Sequence, residues 1–362
     1  MKTIVFTGGG TAGHVTPNLA LIEKLPLDEW DVHYIGTLGS IEYELIKACP
    51  RVTFHSIESG KLRRYFSWQN FTDPFRVIKG LAQSKKIIRA LKPDVLFSKG
   101  GFVSVPVVMA ARGKCPVLVH ESDYSPGLAN RIAARYADIL CLTFEPEGGV
   151  KSTRSLRVAV TGTPIRPELY KGDRQKGLAF TGLSGKKPVL LAMGGSQGAG
   201  PVNDKLRETL PELLKEFDIV HLCGKGKVAE DLHFPGYVQY AYVTREMADL
   251  LALCDIVLSR AGANTVFELL ALQKPAALVP LPLYASRGDQ IQNAEYMAGR
   301  GYAIHLPQDE ITSAVLTETM RTLYAQRRAY AIRMRDAKAD GTQAILDLIF
   351  EAAEDQCVMR NA

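Results

Sequence analysis

Residues 3–14 read Thr3-Ile4-Val5-Phe6-Thr7-Gly8-Gly9-Gly10-Thr11-Ala12-Gly13-His14, and residues 188–199 read Pro188-Val189-Leu190-Leu191-Ala192-Met193-Gly194-Gly195-Ser196-Gln197-Gly198-Ala199. Each is a short apolar run followed by a glycine-rich turn, and each leads into a segment of helical period. A strand that is apolar at almost every position is buried on both faces, as in a parallel sheet covered by its crossover helices. The repeat is one of architecture, not of a short solenoid period. It predicts an α/β chain of two Rossmann-like doubly wound domains in tandem.

Working outward, strand-like runs fall at residues 32–35, 52–56, 94–98, 117–120, 138–143 and 157–161 in the first half. In the second half they fall at 219–222, 238–240, 255–259, 276–280 and 303–305. Helical patterns lie between them, among others at 17–25, 76–91, 203–216, 247–253 and 265–272. This alternation is that of βαβ units. Gly162-Thr163-Pro164 marks the boundary, giving an N-terminal domain over 1–163 and a second domain over 164–341. A C-terminal helix and tail occupy 342–362, with the helix at 342–354, its seat on the body left open, and frayed residues beyond. Residues 171–187 read as a polar, glycine-bearing approach to the second domain's first strand.

The 362 residues are 46% hydrophobic and 23% charged, enough apolar content for two buried cores. Six widely spaced cysteines form no CxxC pair and read as reduced packing residues. No apolar run approaches the ~18 residues of a membrane span. Met1 leads directly into strand and turn without a signal-peptide pattern, so the expected compartment is cytoplasmic. The formal charge is +6, but between Lys61 and Lys92 nine basic residues face one acid, Asp73. A charge so localised argues for one anionic surface or ligand and against a general nucleic-acid binder.

A third glycine turn, Gly100-Gly101-Phe102-Val103-Ser104, follows the run at 94–98. Glycine lets backbone approach a ligand closely, and the helix that follows offers unpaired N–H groups to an anion. Three such turns point to a phosphate-handling site. None has the spacing of a dinucleotide fingerprint or a Walker lysine, which lowers the odds of a dehydrogenase or NTPase. No Asp-x-Asp pair is present to hold a metal, so helix N-termini, hydroxyls and arginines must meet phosphate charge.

His14 lies where the first turn enters its helix and reads either as a capping residue or as a neutral imidazole able to take a proton. His120-Glu121-Ser122-Asp123 ends another strand, where ligands collect in open α/β sheets. An ordinary polar turn reads equally well there. Ser259-Arg260-Ala261-Gly262-Ala263-Asn264-Thr265-Val266-Phe267-Glu268 repeats the strand–turn–helix form. Glu268 is either a commonplace helix carboxylate or an acceptor for two ribose hydroxyls. Arg287-Gly288-Asp289-Gln290-Ile291-Gln292-Asn293 is a polar loop entering a helix and carries no functional weight alone.

Taken in order, residues 8–17, 100–106, 120–130, 162–166, 194–203, 259–268 and 289–293 resemble the MurG family of bacterial N-acetylglucosaminyltransferases over nearly the whole chain. The resemblance implies a GT-B fold, with two domains facing across a cleft. It implies inverting transfer from UDP-N-acetylglucosamine, without metal or cofactor, to the 4-hydroxyl of the muramoyl sugar of undecaprenyl-linked lipid I, forming lipid II in peptidoglycan synthesis. By that resemblance Thr11, Ala12 and Gly13 line the donor site beside the acceptor phosphate. Arg166 and Ser196, with Gln197, meet the donor's diphosphate and nearby groups, and Glu268 takes the ribose hydroxyls. Gln290 binds the transferred sugar with Asp289 beside it, uracil is read by backbone near Val243 and Thr244, and His14 and Glu121 are the acid/base candidates. Family members often carry Asn in place of Asp123 and Tyr in place of Phe102.

The basic segment interleaves its cations with Leu62, Tyr65, Phe66, Trp68, Phe71, Phe75, Ile78 and Leu81. It reads as a helix with a core face and a solvated basic face, or as a surface that docks on anionic lipid. A polyprenyl-linked acceptor favours docking, at the cytoplasmic face of the plasma membrane, with cell-wall assembly proteins as further partners. Competing readings are a transferase acting on a glycerolipid, a UDP-sugar epimerase of the same fold, and a catalytically silent UDP-sugar-binding regulator.

Overall fold

The computed structural model describes residues 1–26, 28–60, 69–194 and 199–361, of which 69–74, 360 and 361 are described by backbone alone. Two compact units make up the chain: Met1–Arg166 with Asp340–Ala362, and Pro167–Ala339.

The first unit holds a sheet of strands β1 (Lys2–Thr7), β2 (Trp30–Gly36), β3 (Thr53–Ser56), β4 (Val95–Ser98), β5 (Val117–Glu121), β6 (Ile139–Leu142) and β7 (Arg157–Val160). Their order is β3-β2-β1-β4-β5-β6-β7, every pair parallel. The second holds β8 (Val189–Met193), β9 (Asp218–Leu222), β10 (Tyr237–Tyr240), β11 (Ile256–Ser259), β12 (Ala276–Leu278) and β13 (Ala303–His305), in the order β10-β9-β8-β11-β12-β13. Each expected strand run is a strand, trimmed or extended by a residue or two at its ends. The apolar alternation with glycine turns is read reliably because parallel strands buried on both faces have little room for polar residues.

In both sheets the order reverses beside the first strand, between β1 and β4 and between β8 and β11. Crossovers run to opposite faces on either side of such a point, which leaves a crevice at the carboxyl ends of the two strands. The glycine turns at 8–13 and 100–101 open from β1 and β4, and Thr7 pairs with Ser98 across that point.

The C-terminal helix runs Thr342–Asn361, beyond the expected 354. Ile345, Leu346, Ile349, Ala352 and Ala353 lie in the same core as Ile4, Phe6, Trp30, Val95 and Phe97. Its far end is tied down by Gln356 Nε2 donating to the Lys114 carbonyl at 3.2 Å, so residues expected to fray continue the helix. The stretch expected as a polar approach contains a helix, Arg174–Thr181. Asp173 caps it by accepting from Gln175 N at 2.7 Å and Lys176 N at 3.2 Å, and Gly182 closes it at φ +68°.

Candidate active site

The three glycines at the end of β1 are held from several sides. Tyr34 donates its hydroxyl to the Gly8 carbonyl at 2.6 Å and accepts from Asn18 Nδ2 at 3.1 Å. Gly9 N donates to the Gly100 carbonyl at 3.2 Å, joining the first and second glycine turns. Glu42, 2% exposed, lies beneath and accepts from Gly10 N at 3.1 Å and Thr37 N at 3.3 Å. A Cβ on Gly9 would lie 2.5 Å from the Glu42 carboxyl carbon, and one on Gly101, at φ +85°, would lie 2.2 Å from the Gly9 carbonyl oxygen. The backbone contact at Gly101 requires glycine, and together these contacts set the path of the turn.

Thr11 is exposed, and Ala12, Gly13 and His14 are half-buried. Ala12–His14 forms a short 3-10 turn ahead of the helix Thr16–Lys24. His14 Nδ1 lies 3.2 Å from the Lys99 carbonyl oxygen. A carbonyl only accepts, so Nδ1 carries the proton and Nε2 is the acceptor nitrogen of the neutral ring.

Glu121 ends β5 and is 4% exposed. Its carboxylate accepts from Asp123 N at 2.9 Å, Gly127 N at 3.2 Å and Asn130 Nδ2 at 2.9 Å. Burial pushes its pKa above the usual carboxylate range, while the hydrogen bonds oppose the shift. With three donors from its own turn and helix, Glu121 shapes residues 121–130.

On the second unit the turn after β11 leads into the helix Ala263–Ala271, which carries Glu268 half-buried in its second turn. Arg260, 8% exposed, donates to the carbonyls of Val279 at 3.1 Å and Pro280 at 3.0 Å and to Gln308 Oε1 at 2.7 Å. It thereby fixes the loop after β12, where Gln290 Oε1 accepts from Leu281 N at 3.1 Å. Asn293 Nδ2 donates to the Ala261 carbonyl at 3.1 Å, which seats the helix Asp289–Gly299 against the β11 turn. Asp289 opens that helix, 3.8 Å from the Arg287 guanidinium.

The fold therefore gathers Thr11, Ala12, Gly13, His14 and Glu121 at the carboxyl edge of the first sheet, and Glu268, Asp289 and Gln290 at that of the second. Arg166 is half-buried at the end of the first unit's main segment. Val243 is buried and Thr244 exposed after β10. Ser196 and Gln197 lie outside the described residues. The sequence reading passed over Glu42 and Lys99. For Lys99 a signal existed, a charged residue fixed between a buried strand and a double glycine; for Glu42, at the start of a short helix, there was none.

Two doubly wound units in one chain, each with a switch point beside its first strand, are an architecture shared by two-domain α/β glycosyltransferases. Residues 4–140 match the glycosyltransferase family 28 N-terminal domain and residues 189–349 the C-terminal domain of the same family. The chain belongs to glycosyltransferase family 28. It is 50% identical over 356 residues, 98% of its length and 100% of the relative, to a Bacillus anthracis protein named UDP-N-acetylglucosamine--N-acetylmuramyl-(pentapeptide) pyrophosphoryl-undecaprenol N-acetylglucosamine transferase 2. A Clostridium perfringens transferase of the same name, without the final numeral, is 48% identical over 353 residues, 97% of this chain and 98% of that protein. Among solved structures, Acinetobacter baumannii MurG superposes with a TM-score of 0.76 at 27% identity, over 97% of this chain and 100% of that one. The calicheamicin glycosyltransferase CalG4, at 15% identity and a TM-score of 0.69 over 98% of each chain, shares the fold.

Proposed function

We propose that the chain transfers N-acetylglucosamine, with inversion, from UDP-N-acetylglucosamine to the 4-hydroxyl of the muramoyl sugar of undecaprenyl-diphosphoryl-muramoyl-pentapeptide, making lipid II for peptidoglycan. The observation that carries this is half-identity, end to end, with transferases named for that reaction. The site chemistry agrees with it. His14, its Nδ1–H held by the Lys99 carbonyl, offers Nε2 to the proton of an acceptor hydroxyl. The acceptor oxygen bonds to the anomeric carbon as the bond from that carbon to the UDP phosphate oxygen breaks. Charge growing on the leaving diphosphate is met by the turn at 194–199, its helix Gly200–Leu213, and Arg166. Glu268 takes the ribose hydroxyls and Gln290, beside Asp289, the transferred sugar. Glu121 serves the site by holding its turn.

The acceptor's lipid places the reaction at a membrane, and we assign the peripheral contact, on the cytoplasmic face, to the segment between Lys61 and Lys92. Residues 61–68 and the side chains of 69–74 lie outside the described residues. In the rest of the helix Gln69–Leu91, Phe75 is 75% and Ile78 65% exposed, beside exposed Arg76, Lys79, Lys85, Lys86 and Arg89. Exposed apolar side chains among cations suit an anionic lipid interface. Among the described residues no helix is long and apolar enough to cross a membrane.

The test is UDP release from UDP-N-acetylglucosamine by the purified chain. Release that depends on a short-chain lipid I analogue, and not on diacylglycerol, is expected. Release independent of the analogue, or none, overturns the reading.

A further inference from the structure

Lys99 stands at the end of β4 with no exposed surface, an unusual place for a lysine. Its Nζ donates to His120 Nδ1 at 2.7 Å, Ser122 Oγ at 2.7 Å and Thr163 Oγ1 at 3.2 Å. His120 Nε2 faces the Gly162 carbonyl at 2.9 Å and so carries the imidazole proton, which leaves Nδ1 as the acceptor for Lys99. An ammonium has three N–H bonds, and three neutral acceptors take them. A neutral amine has two and a lone pair, so loss of the proton forces one hydroxyl, Ser122 or Thr163, to reverse and donate, and all three contacts lose their charge assistance.

The three partners belong to different parts of the first unit. His120 and Ser122 flank Glu121 on the β5 turn. Thr163 lies on the segment leaving the unit, and its carbonyl accepts from Gly341 N, on the segment that returns, at 2.8 Å. The main chain of Lys99 reaches the first glycine turn: its N donates to Thr7 O at 2.9 Å and its carbonyl holds His14 at 3.2 Å. One residue thus ties the turn bearing His14 to the β5 turn and to the exit segment.

We propose that Lys99 is a positioning residue for glycosyl transfer: its buried ammonium locks the β5 turn and the exit segment to the end of β4, whose main chain holds His14, and so fixes where His14 meets the acceptor. This rests on the transferase reading given above. The charged and titratable groups facing the ammonium are Glu121 and Asp123 on the β5 turn, Cys141 on β6, and His120, which in turn faces His14. Burial pulls the Lys99 pKa down to about 7, against the attraction of Glu121 and Asp123. The lock is therefore complete below neutral pH and loosens as pH rises through about 7.

The experiment measures kcat against pH, by UDP release with the lipid I analogue, for wild type, Lys99→Met, Ser122→Ala and Thr163→Val. In parallel, NMR of 13Cε-labelled lysines follows the titration directly. Wild type is expected to lose kcat as pH rises past neutrality, with one lysine titrating there that is missing from Lys99→Met. Lys99→Met should lose that alkaline limb and about tenfold to a hundredfold in kcat at neutral pH, with KM for the donor within about twofold, as for a misplaced catalytic group. Ser122→Ala and Thr163→Val, each removing one acceptor, should move the limb and the NMR titration to lower pH. A folded Lys99→Met with wild-type kcat and the same limb overturns the proposal. If Lys99→Met does not fold, a limb unmoved in both acceptor variants overturns it. A wild type without acceptor-dependent turnover sinks the transferase reading instead, while the NMR titration still reports on the lysine.

Discussion

The His14 imidazole and the Lys99 carbonyl are joined by a single hydrogen bond of 3.2 Å across the β1–β4 switch point. That bond selects the tautomer whose Nε2 accepts a proton, and the second glycine turn, which Lys99 opens, is packed directly on the first. His14→Ala should lower kcat by on the order of 10²-fold, the scale of a lost general base. The donor KM should change far less. Steady-state UDP release measures both, and a wild-type kcat removes His14 from the base role.

Glu268→Ala should act on donor binding. A charge-assisted pair of hydrogen bonds to a ribose diol is worth about 1.5–3 kcal/mol, so KM for UDP-N-acetylglucosamine should rise about tenfold to a hundredfold. The kcat should stay within a few-fold, because the ribose is remote from the reacting carbon. Calorimetric titration with UDP gives the same loss without turnover; unchanged affinity would place the ribose elsewhere.

Gly101→Ala tests the packing of the two turns. The residue sits at φ +85°, and its Cβ would come within 2.2 Å of the Gly9 carbonyl oxygen, a backbone atom with no rotamer to yield. Strain and overpacking together should cost about 2–5 kcal/mol. Urea unfolding of the variant measures this, and a loss below about 0.5 kcal/mol would contradict the contact.

The second unit carries a pH dependence of its own. His221, 1% exposed, accepts at Nδ1 from the Tyr237 hydroxyl at 2.8 Å and donates from Nε2 to Asn203 Oδ1 at 3.1 Å. Burial, with help from Arg207, lowers its pKa from 6.5 to about 3. The unfolded chain then binds the proton first, so the stability of the neutral ring is full above 6.5 and declines as pH falls from 6.5 toward 3. At pH 5 the loss should be about 2 kcal/mol relative to pH 8. Urea midpoints at the two pH values measure it, and His221→Gln should show a smaller difference between them; an equal difference would clear His221 of the effect.

Vesicle co-sedimentation tests the basic segment. Each cation near an anionic surface contributes about 1 kcal/mol, so Lys85→Glu with Lys86→Glu should weaken binding to phosphatidylglycerol vesicles by at least about tenfold. Binding that ignores either the charge reversal or the anionic lipid content would assign the membrane contact elsewhere.

The sequence by itself determined the two sheets and the sites of their glycine turns. Residues 3–7 and 189–193 could be read as buried parallel strands because their apolar runs are short, unbroken and stopped by glycine. Because each follows a strand run, Gly8, Gly100 and Gly262 could be placed at carboxyl strand ends without coordinates, whereas the switch points came only with the strand order. His14 and Glu268 stood out from their place after such turns. Tertiary structure alone decided which groups Glu42, Lys99 and Glu121 bind. Glu121 stood out at the end of its strand and Lys99 carried a signal before a double glycine, but the partners that bury Lys99 are distant along the chain: Thr163 is 64 positions away. It also decided where the C-terminal helix belongs. The stripe of Ile345, Leu346, Ile349 and Ala353 announces that a face is buried, but a hydrophobic face carries no address. Only the packed first unit, with Trp30 and Phe97 presenting the matching surface, fixes its seat.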